Sequence, residues 1–308
     1  MLRKLTATLL ASAALAVSAC AQQSLPEPVA TAQAPAAAVE MGGPALWKVA
    51  DEDTTIYLFG TVHALPANVD WYSGPVQAAL DSADTLVTEI DMTPEATAAM
   101  GALVAEKGTL PAGTTLRSLM TDEQRARYEA GLAKIGAPAA AFDQLEPWFA
   151  TLALANQALA MGGFDPSRGV ETVLEATVKA ETGRDALETV EQQIAIFDTL
   201  PQESQITYLL ETVEGFDDIQ PTLQTMVDEW AAGDANELGA LMTAAFSEDA
   251  ELMKRLLTDR NTAWAVWIDD RLDRPGTVFM AVGAGHLAGE GSVQDMLAAR
   301  GIGNERVQ

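Results

Sequence analysis

The chain contains two histidines, His63 and His286, and each stands three places after a glycine at the end of an apolar run. The first sits in T-T-I-Y-L-F-G-T-V-H-A-L-P, Thr54 to Pro66, and the second in T-V-F-M-A-V-G-A-G-H-L-A-G-E-G, Thr277 to Gly291. Glycine is 23 of 308 residues, so a glycine three places before both histidines would arise by chance at (23/308)², about half a per cent. G-x-x-H, used twice at strand ends, is therefore the signal.

Glu89 is the third group of interest, an acid inside the otherwise apolar run Thr85-Leu86-Val87-Thr88-Glu89-Ile90. A carboxylate in a central strand is costly to bury without a partner. Two imidazoles and a carboxylate suit a divalent first-row ion, here Mn²⁺, Co²⁺ or Zn²⁺, and three protein ligands with an open position make a hydrolytic site. Such an ion lowers the pKa of bound water and polarises a carbonyl, so no side-chain nucleophile is required. His63 and His286 are accordingly expected to bind metal, and Glu89 to bind metal or act as general base. Arg260, in D-R-N-T-A-W, either clamps a substrate carboxylate, pairs with Glu89 or is a helix-surface charge. Each histidine alone reads as a core or turn residue; the matched pair carries the chemistry. Gly60 and Gly283 are expected to let the chain leave its strands at unusual φ and ψ, and Gly285 and Gly289 to let the backbone approach a ligand closely.

Other chemistries lack their motifs. G-A-G-H-L-A-G misses the G-x-G-x-x-G dinucleotide pattern, and H-E-x-x-H, G-x-S-x-G and a phosphate-cradling G-K-[ST] loop are absent. The formal charge of −26 leaves no basic face for nucleic acid, and the acidity otherwise reads as solubility.

The elements that must position these residues are strands at both ends of the chain and helices between. Ala45 to Ala50 and Thr54 to Phe59, separated by Asp51-Glu52-Asp53, predict a hairpin. A helix is predicted over about Gly74 to Ser82 and a strand at Thr85 to Ile90. Thr93-Pro94-Glu95 and Thr121-Asp122-Glu123 are helix starts, the first running to about Lys107. Further helices are expected at Gln144 to Met161, Ser167 to Thr182 and Val190 to Leu200, with a short strand at Ala186 to Thr189. Gln202 to about Asp273 reads as a train of helices broken at Glu214-Gly215, Gly233-Asp234 and Glu248-Asp249. A strand at Thr277 to Val282, a helix at Ser292 to Arg300 and a short terminal strand complete the chain. The pattern predicts an α/β fold whose sheet is assembled from the N- and C-terminal segments, with a helical central lobe. Ligands of open α/β sheets bind beyond the carboxyl ends of the strands, where both histidines fall.

Ahead of this domain, residues 44–308, Met1 to Lys4 is a basic start, Leu5 to Val17 an apolar core of signal-peptide length, and Val17-Ser18-Ala19-Cys20 closes with small residues before the single cysteine. The pattern of residues 1–19 is that of a lipoprotein signal peptide, with Cys20 receiving lipid; the other reading is a cleaved signal with an incidental cysteine. One cysteine excludes an intrachain disulfide and a Cys-based metal site. Residues 20–43, rich in Ala, Pro and Gln, read as a disordered tether. The expected place is the bacterial cell envelope, outside the cytoplasm, with the lipid as the only membrane contact.

Leu58 to His63, Thr85 to Asp91, R-N-x-x-W at Arg260 to Trp264 and V-G-A-G-H-L-x-G at Val282 to Gly289 together resemble the TraB/GumN family, also called TraB/PrgY/GumN or Tiki-like. Pro147-Trp148 and Leu187-Glu188-Thr189 with Gln192 or Gln193 are further points of similarity, and the likeness runs from about Ala45 to the C-terminus. The resemblance implies a fold related to erythromycin esterase-like and haem-binding ChaN-like proteins. It also implies a metal-dependent peptidase acting on a peptide or protein, with His63, Glu89, Arg260 and His286 in the site. The alternative is a non-catalytic protein that sequesters a peptide or haem in the same cleft.

Overall fold

The computed structural model describes residues 42–72, 74–246 and 250–308. The expected leader, Cys20, nearly all of the tether and the helix break at Glu248-Asp249 lie outside the described residues. Among the described residues, no helix is long and apolar enough to cross a membrane.

The hairpin forms as the pattern requires. Strands β1, Leu46–Ala50, and β2, Thr54–Thr61, run antiparallel with Val49 opposite Ile56. Asp51 closes the turn by accepting hydrogen bonds from the N–H groups of Asp53 and Thr54. Strand β3 covers Thr85–Thr88, β4 Gly183–Ala186, β5 Gly276–Gly283 and β6 Glu305–Arg306. They make one six-stranded sheet in the order β4-β3-β5-β2-β1-β6. β2, β5, β3 and β4 are parallel neighbours, and β1 and β6 finish one edge antiparallel.

Period-two alternation sends each strand's side chains to two separate cores. Ile56, Leu58, Val87, Val278, Met280 and Val282 face one layer. There they meet Trp264 and Ile268 of helix Asp259–Leu272 and Leu297 of helix Val293–Ala299. Phe59, Leu86, Phe279 and Ala281 face the other, larger core shared with the helical middle of the chain. Central β5 is covered on both faces and so reads as a continuous apolar run, as a buried parallel strand should.

The lobe follows the expected starts and stops. Thr93 caps Pro94–Lys107 by accepting from the Ala96 N–H, and Thr121 and Gln124 form a reciprocal capping box for Asp122–Lys134. Gly215 and Gly233 separate the helices Gln202–Glu214, Phe216–Ala232 and Ala235–Phe246; Gly233 does so at φ 75°, where a side chain would be strained. Among the bonds that hold the lobe to the sheet, the Trp230 indole N–H donates to the Gly60 carbonyl at 2.8 Å.

Three expectations need correction. The short strand lies at Gly183–Ala186, three residues earlier than predicted, because its exposed Gly-Arg-Asp start carries no apolar signal. The helix predicted over Ser167 to Thr182 is only Val170–Thr177, preceded by a 3₁₀ turn at Pro166–Arg168. Gly60 and Gly283 do not have positive φ; Gly283 sits at φ −48° and ψ 133°. What Gly60 supplies is space, since a Cβ there would lie 3.0 Å from the Ala284 Cα.

A tighter fit of the same kind is testable. A Cβ on Gly169 would lie 2.1 Å from the His63 carbonyl oxygen, a backbone atom that cannot rotate aside. Gly169→Ala should therefore destabilise the protein by about 1–3 kcal/mol, read by chemical denaturation. An unchanged unfolding midpoint would mean the helix and the His63 segment do not pack as described.

Candidate active site

Strand register brings the distant motifs together. β2 and β5 pair from Thr54 opposite Gly276 to Thr61 opposite Gly283, and β3 pairs Thr88 with Ala281. β5 is thus flanked by β2 and β3, with β2 and β5 ending at one level and β3 two residues short of it. His63 follows the end of β2 by two residues, His286 lies in the 3₁₀ turn Ala284–Leu287 just after β5, and Glu89 comes directly after β3.

Glu89 is 8 % exposed and fully engaged. One carboxylate oxygen accepts the Gly283 N–H at 2.7 Å and lies 3.7 Å from His286 Nε2. The other accepts Arg260 Nη2 at 2.5 Å and Gln193 Nε2 at 2.8 Å. Burial alone would raise its pKa; Arg260 foremost, the histidines and the Gly283 N–H outweigh that and hold it down at about 2.

Arg260 is buried, 7 % exposed, so the surface-charge reading of it is set aside. Its Nε and Nη2 reach Glu188 at 2.8 and 3.0 Å, and Nη2 also reaches Glu89. Nη1 donates to the Leu256 carbonyl at 3.0 Å and meets His286 Nε2 at 2.9 Å. A guanidinium has five N–H donors, and this set uses all of them. The cation also lies 4.7 Å from the Trp264 ring centroid.

The two imidazoles are held alike at one nitrogen. His286 Nδ1 lies 2.6 Å from Asn261 Oδ1, and Asn261 is itself fixed by donating to the Gly291 carbonyl. Arg260 can only donate, so His286 Nε2 accepts and the ring is neutral with its proton on Nδ1. Burial first and the Arg260 charge second depress its pKa to about 3. His63 Nδ1 meets Glu171 Oε1 at 2.6 Å, and the same oxygen accepts Thr61 Oγ1. Burial disfavours the His63 cation, but the charge and hydrogen bond of Glu171 outweigh it and lift the pKa to about 9. His63 Nε2 is buried and has no partner.

The structure therefore gathers His63, Glu89, Arg260 and His286 within one electrostatic neighbourhood. It adds four residues to which motif chemistry assigns no role: Glu171, Glu188, Gln193 and Asn261. Glu188, Gln193 and Asn261 fall inside or beside motifs of the sequence, whereas Glu171, at the start of a helix, looks like an ordinary favourable N-terminal acid.

Two cavities border the cluster. One of about 470 Å³ is lined by Thr88, Arg184, Glu188, Thr189 and Gln192 among others, and shares Glu188 with the Arg260 network. The other, about 50 Å³, has His63 in its wall.

The donor set can be tested against a divalent ion. Metal-binding histidines ordinarily have the second ring nitrogen held by an outer carboxylate or carbonyl. Both imidazoles meet that condition through Nδ1, and His63 Nε2 is an orphaned buried position. Among the described residues no group of three His, Cys, Asp or Glu is already gathered into a metal cage. The residues fit an ion in donor type, but His63, whose pKa is lifted to about 9, must first give up its proton at Nε2 and His286 joins as a ligand only when Arg260 Nη1 releases it.

Fold and cluster together define an α/β protein with a histidine–carboxylate–arginine site at the carboxyl ends of its parallel central strands. The chain belongs to the TraB/PrgY/gumN family, whose sequence model matches residues 45–306. It is similar to the uncharacterized protein YbaP of Escherichia coli (strain K12) and to YbaP of Shigella flexneri. Each is 26% identical over 243 residues, covering 78% of this chain and 87% of the relative. No solved structure matches.

Protonation of the cluster fixes how stability should vary with pH in chelator-treated protein. His286 and Glu89, with depressed pKa values, bind more protons when unfolded, so stability should rise with pH through about 2 to 6.5. His63 binds more protons when folded, so its contribution is complete below about 6.5 and is lost as pH rises towards about 9. The maximum should lie near pH 6.5, and His63→Gln should flatten the alkaline side, whose slope is at most about 1.4 kcal/mol per pH unit. An alkaline limb of equal slope in both proteins would remove the His63–Glu171 ion pair.

Proposed function

We propose that the chain is a metal-dependent hydrolase of amide bonds, most simply a peptidase acting on a peptide or protein, and that it works at this cluster. The observation that carries the reading is the shared orientation of the two imidazoles. Each Nδ1 is occupied from outside, by Glu171 or Asn261. His63 Nε2 is left without a partner, and His286 Nε2 is turned inward onto Arg260 Nη1.

His63 and His286, with Glu89, would hold Mn²⁺, Co²⁺ or Zn²⁺. Such an ion, when bound, supplies an activated water and polarises the scissile carbonyl. The low pKa of Glu89 suits it to ligation rather than to the role of general base. Glu171 keeps His63 turned so that Nε2 faces inward, and Asn261 does the same for His286. Arg260 holds Glu89 in place. Once Nη1 releases His286, its N–H is the one guanidinium donor free to meet negative charge on the substrate oxygen. Water is kept from much of this cluster by the burial of His286, Glu89 and Arg260.

Calorimetric titration of chelator-treated full chain with each ion is expected to show binding. Glu171→Gln should weaken it by roughly 10–100-fold while leaving the fold intact. With the ion restored, a peptide library should be cleaved by the parent chain and returned whole by His63→Ala and His286→Ala. No heat with any of the three ions overturns the reading. Ion binding with every peptide intact, or a Soret band on haem titration, makes the protein a binder.

We further propose that the domain is tethered to the bacterial envelope by lipid on Cys20, which rests on the basic, apolar and small-residue order of Met1 to Cys20. Cys20→Ser should shift the protein from the membrane to the soluble fraction. An unchanged distribution would remove the anchor.

A further inference from the structure

The cavity of about 50 Å³ beside His63 is apolar for most of its wall, formed by Leu159, Phe164, Leu223, Met226, Leu238 and Met242. Trp230 and Val227 add to it, and all of these side chains are buried. The other wall is the end of the sheet: Thr61, Val62, His63, Ala64, Ala284 and Gly285. Of the whole lining only Val62, His63 and Ala284 are partly exposed, so the cavity opens where His63 stands. The indole N–H of Trp230 is already given to Gly60, so it offers no polar group to an occupant.

We propose that this cavity takes a branched aliphatic side chain of the substrate, of Val or Leu size, next to the bond presented to His63. The proposal rests on the hydrolase reading and names its substrate class. Size sets the occupant. A water-sized group takes roughly 10–15 Å³ of such space, so 50 Å³ accepts about three to five heavy atoms. That is an isopropyl or isobutyl group; an indole or phenyl ring is too large without displacement of the wall. Chemistry agrees, because a charged or amide side chain would find no partner among the Leu, Met and Phe groups inside. Met226 and Met242 add flexible walls that adapt between Val, Leu and Ile. His63 stands at the mouth with its buried Nε2 free of any protein partner, so a side chain seated in the cavity brings the backbone of the same substrate residue beside the position the hydrolase reading gives to the ion.

The test uses full chain carrying ¹³C-methyl methionine, so that Met226 and Met242 report from the wall itself. N-acetyl-leucinamide should shift both methyl signals saturably, with N-acetylglycinamide roughly tenfold weaker or more, given the burial of one aliphatic side chain. N-acetyltryptophanamide should leave them in place. Leu238→Phe, which fills the cavity from the lobe, should abolish the leucinamide response; Val227→Ile, one methylene larger, serves if that variant fails to fold. Equal responses to the three amides, or an undiminished leucinamide response in a folded filled variant, would make the cavity a packing void only. No turnover is needed for this reading, so the two proposals fail separately. Leucinamide binding with no peptide cleaved under any ion keeps the pocket and removes the hydrolase. Cleavage with no preference of about tenfold for Val, Leu or Ile over Gly near the cut bond removes the pocket and keeps the hydrolase.

Discussion

The buried triad of Arg260 with Glu89 and Glu188 is the constraint on which the site's geometry depends. Bringing these charges out of water is expensive, and the expense is offset only if every lone pair and N–H finds a partner. All five guanidinium donors do, and they land on elements far apart in the chain. Glu89 follows β3, Glu188 follows β4, Leu256 belongs to the turn before the Arg260 helix and His286 follows β5. Once the arginine is seated, these segments cannot slide relative to one another without stranding a charge. The same triad therefore fixes the cluster and closes one end of the sheet.

Arg260 reaches that position because of an irregularity in its helix. Lys254–Thr258 forms a π turn directly before Asp259–Leu272. A π turn inserts a residue and rotates the helix beyond it, and such turns favour functional sites. From Arg260 onward the buried positions run i, i+4, i+8 through Trp264 and Ile268, so the cation and the apolar residues share the face laid on the sheet. Parallel pairing does the rest. β5 between β2 and β3 makes the ends of three strands neighbours, and the glycines that precede the histidines stand one step out of register, Gly60 opposite Val282 and Gly283 opposite Thr61. The repeated G-x-x-H therefore serves two different needs. Gly60 makes room for Ala284, and the Gly283 N–H holds Glu89.

How much of this is legible in the sequence depends on which signals are local. The strands β1, β2, β3 and β5 announce themselves because apolar alternation or a continuous apolar run is written within a few residues. The histidine pair is visible because two rare residues share a spacing. β4 is misplaced because an edge strand half exposed to solvent needs no apolar residues, and the chemistry of Leu187-Glu188 mimics a strand just beyond it. Glu171 is hidden for a different reason. Its partner is a turn more than a hundred residues away, and nothing in Gly169-Val170-Glu171 says that its carboxylate faces inward instead of capping its own helix. Arg260 is ambiguous in the sequence for the same reason, since only tertiary packing separates a buried cation from a surface one.

The division of labour in the cleft has a physical basis in these two kinds of element. Groups that hold or move charge sit at strand ends, at helix starts tied to the sheet and on the helix laid over it, where ladder hydrogen bonds fix the backbone and a shift of an ångström would break an ion pair. The inner apolar wall of the small cavity comes instead from the lobe, from Leu159 of Pro147–Met161, Leu223 and Met226 of Phe216–Ala232, and Leu238 and Met242 of Ala235–Phe246. Apolar walls tolerate changes of volume that a hydrogen-bonded charge network does not, since one methylene more or less alters only packing. A single sheet end can thus keep its imidazoles and carboxylates while the helices above it change which side chain fits. On the proposed reading, the cost of breaking buried pairs would hold the chemistry in place, and selectivity would vary with the helices Pro147–Met161, Phe216–Ala232 and Ala235–Phe246, which line the small cavity with apolar side chains.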